Sequence, residues 1–130
     1  MGEPNSAQAR SYDKLVILRE AALAAIKPGI HCSQVYAAVV EAASQAKIDL
    51  FPGSEVGHGI GVQPCEPPYL HPCDPAPLAA GMVLVIDPII RDAEGQIWRS
   101  KDTVVVTPTG CRVIGWYKDW REPYIPIASI

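Results

Sequence analysis

Leu15, Leu18, Ala22 and Ala25 recur at the three- and four-residue spacing of a single helical face across residues 11–26, while Lys14, Arg19 and Glu20 lie off that stripe. This spacing predicts an amphipathic helix. Lys27, Pro28 and Gly29 end it, because proline removes an amide donor and glycine adopts the left-handed conformation of helix C-termini. A second helix is predicted from Cys32 or Ser33 to about Lys47, with Ser33 the better N-cap and Val35, Val39, Ala42 and Ala46 on its apolar face. Beyond Ile48 the helical period disappears. Pro52 and Gly53 break the chain, and residues 63–77 contain Pro64, Pro67, Pro68, Pro72, Pro75 and Pro77, a density that predicts a loop without a regular ladder. The almost wholly apolar run 82–86 predicts a strand buried on both faces, limited by Pro88. Further strands are predicted at 96–99, 103–107 and 111–114, the last two joined by a turn at Pro108, Thr109 and Gly110. Helices followed by a mostly antiparallel sheet make this an α+β chain.

Length and charge narrow the functional classes. The 130 residues fit one domain, 1–130, long enough to bury about two thirds of its surface. A net charge of −3 without a basic run lacks the electrostatic footprint of a nucleic-acid binder. No apolar stretch reaches membrane-spanning length, and Met1 to Asn5 lack the order of a signal peptide, so a cytoplasmic location with no membrane partner is expected. Cys32, Cys65, Cys73 and Cys111 show neither CxxC spacing nor the density of a disulfide scaffold, which predicts free thiols. Charged residues are 19% of the chain, below the average of about 25%, and this low share suits a contact face. The tail 116–130, with Trp116, Tyr117, Trp120 and Tyr124, is expected to cover its own sheet.

The candidate chemistry centres on Gly57-His58-Gly59-Ile60-Gly61, followed by Cys65-Glu66-Pro67-Pro68. Glycines on both sides of an imidazole allow a backbone or a ligand to approach it closely. Alternation along residues 99–103 puts Arg99 and Lys101 on one face and Asp102 on the other, where Asp102 is expected to bond locally. Glu66 and His71 are read as solvated side chains. Cys65 with His58 could in principle serve acyl transfer, but no residue is identifiable as the imidazole's orienter.

Taken together, the glycine motif, Gly81-Met82-Val83-Leu84-Val85-Ile86-Asp87-Pro88 and Arg99-Ser100-Lys101-Asp102-Thr103-Val104 resemble the family of methionine aminopeptidases, Xaa-Pro aminopeptidases, prolidases and creatinases. The resemblance runs from about Pro4 to Val113 and implies the second, C-terminal half of a pita-bread fold. In that family two cations held by two Asp, one His and two Glu activate a bridging water. The resemblance places His58 at the ligand His, Asp87 at the first Glu, Lys101 at the bridging Glu and Cys65 at a second His that contacts substrate. The strand bearing both Asp ligands would precede Met1.

The resemblance therefore implies a degenerate metal set, His58 and Asp87, with a lysine where negative charge is needed. The cleft residues implied are His58, Cys65, Asp87, Arg99 and Lys101, with no catalytic residue assigned. No cofactor is expected or, failing that, a divalent Mn, Co or Zn ion. Asp87 and Lys101 are expected to form an ion pair in the metal's place, so that Lys101→Ala would cost on the order of 3–5 kcal/mol by stranding a buried charge. The expected function is a peptidase-like half-domain, not catalytic alone, that binds a peptide, small molecule or protein. The alternative is a metal-dependent Xaa-Pro peptidase or creatinase-like hydrolase completed by another chain. A homodimer, or pairing with a complementary N-terminal half-domain, would cover the sheet edge left open.

Overall fold

The first helix begins earlier than its apolar stripe. In the computed structural model, which describes residues 3–115, α1 spans Ser6–Ala25. Asn5 accepts the backbone N–H groups of Ala7 and Gln8 at 3.0 and 2.9 Å, and the Gln8 side chain accepts the Asn5 N–H. This reciprocal capping box, rather than the hydrophobic pattern, sets the start. Helix α2 spans Cys32–Gln45 with His31 as its N-cap, so Ser33 lies inside the helix instead of capping it. Gln34 Oε1 accepts the His31 N–H at 2.9 Å, while the carbonyls of Ala76 and Asp74 accept the N–H groups of Cys32 and Ser33. The returning chain thus satisfies the first-turn donors that a Ser33 cap would have served.

Among the described residues eight strands follow: β1 (Asp49–Leu50), β2 (Gly57–Gly59), β3 (Glu66–Tyr69), β4 (Val83–Ile86), β5 (Ile89–Arg91), β6 (Ile97–Arg99), β7 (Asp102–Val106) and β8 (Cys111–Ile114). They form a three-stranded sheet, β1-β5-β6, and a five-stranded sheet, β3-β2-β4-β7-β8, with every pairing antiparallel. The proline-rich segment is not wholly irregular, because β3 pairs with β2. It is an edge strand, the one place where Pro67 and Pro68 cost no second ladder. The aromatic tail 116–130 lies outside the described residues.

Alternation sorts the larger sheet into two faces. Leu84, Ile86, Val104 and Val106 join Leu15, Leu18, Ala22, Val35 and Val39 in one buried cluster beneath the helices. On the other face Val85 pairs with His58 and Thr103, and Val83 with Val105, so these side chains share the side away from the helices. Asp102 lies on the helix side, where its carboxylate receives Arg19 Nε at 2.5 Å. Alternation gave its face correctly, but its partner is 83 residues away, not local.

All four cysteines are free, Cys32 being buried and Cys65 and Cys73 exposed. Burial, reinforced by the Asp74 carboxylate, pushes the Cys32 thiol from an ordinary 9.0 up to about 11. The folded state therefore holds its proton more tightly than the unfolded chain, and the stability this contributes is present below pH 9.0 and is lost as pH rises towards 11. The melting temperature of Cys32→Ala should accordingly fall less across that interval than that of the wild type.

Candidate functional site

Two strand-flanking glycines let β2 sit between its neighbours. A Cβ added to Gly57 would run into the Val85 carbonyl and lie 2.7 Å from Leu70 Cδ1, and one on Gly59 would lie 2.5 Å from the Pro67 carbonyl oxygen. The close approach expected at these glycines is thus that of backbone strands. His58 is held between them at 1% exposure. Its Nδ1 lies 2.9 Å from the Gly59 carbonyl oxygen, which can only accept, so Nδ1 carries the proton. Nε2 lies 3.8 Å from Asp87 Oδ2.

Asp87 follows β4 on the same face and is 1% exposed. Its carboxylate receives Arg99 Nε on Oδ1 at 2.5 Å, Arg99 Nη2 on Oδ2, and Lys101 Nζ on Oδ2 at 3.1 Å. Arg99 ends β6 of the smaller sheet and Lys101 immediately precedes β7 of the larger one, so a buried acid at the end of β4 meets two cations from the segment that joins the two sheets. The ion pair with Lys101 is present as expected, and Arg99 adds a bidentate one. Because Arg99 still holds the carboxylate when Lys101 is removed, Lys101→Ala no longer strands a buried charge, and the larger cost attached to that substitution does not follow. The hydrogen bond to Asp87 comes first among the effects that raise the Arg99 pKa, and the charges of Glu55 and Cys65 add to it.

Five sequence-chosen residues therefore converge unequally. His58, Asp87, Arg99 and Lys101 form one contact cluster. Cys65 is exposed and lies within electrostatic reach of Arg99, but no hydrogen bond joins it to His58. With Nδ1 on a carbonyl and Nε2 facing Asp87, His58 is not arranged as the base of a cysteine nucleophile. Glu66 accepts the Gln63 N–H, and His71 accepts the Cys73 N–H and packs against Tyr36, so both brace the loop rather than standing free. Glu55 was not legible as a site residue, since it belongs to no motif.

The model of metallopeptidase family M24 matches residues 1–108. The chain belongs to metallopeptidase family M24. It is 36% identical over 110 residues to a probable dipeptidase PepE of Mycobacterium tuberculosis, covering 85% of this chain and 29% of that protein. Against the Xaa-Pro dipeptidase of Pyrococcus furiosus it is 28% identical over 112 residues, covering 86% and 32%. The crystal structure of dipeptidase PepE from Mycobacterium ulcerans superposes with a TM-score of 0.79 at 32% identity, covering 91% of this chain and 32% of that one. The chain thus spans about a third of the length of these relatives and has the fold of the C-terminal part of a pita-bread M24 protein.

The divalent metal that the M24 family implies does not fit the residues described. Both oxygens of Asp87 are taken by cations, and His58 is the remaining donor beside it. Among the described residues no group of three or more His, Cys, Asp or Glu side chains is placed to hold a metal ion. Arg99 and Lys101 would also repel a dication at this short range.

Proposed function

We propose that this M24 chain is a non-catalytic binding module rather than a peptidase. The observation that carries the reading is the occupation of Asp87 by Arg99 and Lys101, which supply in side chains the positive charge that a metal would bring. Fold alone does not transfer activity when the groups that perform it are replaced. The sheet face bearing the partly exposed Val83, Thr103 and Val105 lies opposite the helices and is the surface proposed for a partner, a second copy of the chain being the simplest. Sedimentation that stays monomeric at high concentration would count against that pairing.

Calorimetric titration of metal-free protein with Mn²⁺, Co²⁺ and Zn²⁺ tests the central claim. The expected result is no binding that differs between wild type and His58→Ala. Tight binding abolished by His58→Ala would instead favour a metal-dependent Xaa-Pro peptidase or creatinase-like hydrolase completed by another chain.

A further inference from the structure

The cluster holds more positive charge than its buried acid uses. Asp87 contributes one negative charge to two cations, and its oxygens engage Nε and Nη2 of Arg99 and one N–H direction of Lys101. Neither cation makes another hydrogen bond or ion pair among the described residues, so Arg99 Nη1 and the remaining donors of Lys101 are left for a ligand. Both side chains are about half exposed, at 48% and 52%, while the acid that fixes them is 2% exposed. Two long side chains whose conformational freedom is already spent on an internal anchor form a preorganised donor pair, which lowers the ordering cost of a further ligand. The chain as a whole carries −3, so this local surplus is not a product of general basicity.

We propose that Arg99 and Lys101 form a binding site for the carboxylate of a monoanionic ligand, an inference that rests on the non-catalytic reading above. A planar carboxylate matches the guanidinium edge, and a single negative charge suits a cation pair whose surplus is already reduced by Asp87 and the nearby Glu55. Glu55 sets the upper limit on charge. It lies close enough to act on Arg99 electrostatically yet makes no ion pair with it, so a dianion such as phosphate meets repulsion that a monoanion meets less.

The test is an NMR titration of the full chain, following the backbone amides of residues 99–101, with N-acetylglycine, its uncharged amide, N-acetyl-triglycine and inorganic phosphate. The expected result is saturable shifts with both acids, none with the amide, and weaker binding of phosphate. Lys101→Gln should weaken N-acetylglycine roughly threefold, and Glu55→Gln should tighten it by a similar factor, both effects shrinking as salt is raised. Equal binding of the two acids would identify a small-acid headgroup site, and tighter binding of N-acetyl-triglycine a peptide C-terminus; either supports carboxylate recognition. Equal response to acid and amide, preference for phosphate, or indifference to both substitutions would overturn it. Failure here with no metal binding removes only the ligand class, whereas metal binding abolished by His58→Ala removes the non-catalytic reading itself.

Discussion

Asp102→Ala is expected to destabilise the chain by about 1.5–3 kcal/mol, because it removes the buried, charge-assisted bond that Arg19 Nε makes, while Glu20 still reaches Arg19 Nη1 at 3.4 Å. The side chains of Arg19 and Asp102 are 4% and 9% exposed, so the bond is shielded from solvent. Asp102 begins β7 on the helix side of the sheet and Arg19 lies in α1, so this bond is a buried polar tie between layers that also share apolar contacts and the Cys111 Sγ to Leu23 carbonyl contact. Urea unfolding monitored by circular dichroism would measure the loss. Asp102→Asn keeps an acceptor for Arg19 Nε and should cost less, while Arg19→Met combined with Asp102→Leu should recover much of the stability of the wild type. If Asp102→Ala unfolds at the urea concentration of the parent, the pair does not bind the layers together.

Gly57→Ala is expected to cost about 2–3 kcal/mol, at the upper end of the usual penalty for overpacking. The added methyl would meet the Val85 carbonyl, which belongs to the central strand β4, as well as Leu70, a core residue with no exposure. Backbone cannot yield as a flexible side chain would, so the β2–β4 ladder must open, and with it the seat of His58. Gly110→Ala is the control, since its Cβ would come no nearer than 4.0 Å to the Ile26 carbonyl oxygen. Thermal melts should separate the two variants clearly, and equal melting temperatures would show that β2 is not packed as tightly as its geometry indicates.

The site itself was legible in part. Alternation from Arg99 to Thr103 is local, and it correctly separated Lys101 from Asp102 because period-2 geometry holds along and just beyond a strand. The pairing of Asp87 with Lys101 followed from charge and motif position, and the structure brings them to 3.1 Å. Arg99's dominant grip on the same carboxylate was not foreseen, although the face it shares with Lys101 was the available signal. Glu55 had no such signal, since neither its neighbours nor its spacing mark it.

By itself the sequence determined what depends on near neighbours: two helices with their apolar faces, the strands of the larger sheet from 83 onward, and motifs specific enough to indicate the family. These rest on periodicity, on proline and glycine chemistry, and on residue order. Only the tertiary structure decided what depends on distant chain segments meeting. The carbonyls at 74 and 76 cap α2 in place of Ser33, and an edge position makes a strand of a proline-rich segment. Arg19 finds Asp102, and the strand-end positions of Asp87, Arg99 and Lys101 converge on one buried carboxylate. A one-dimensional pattern specifies which face a side chain occupies, but its partner across that face is fixed by which strands and helices pack together.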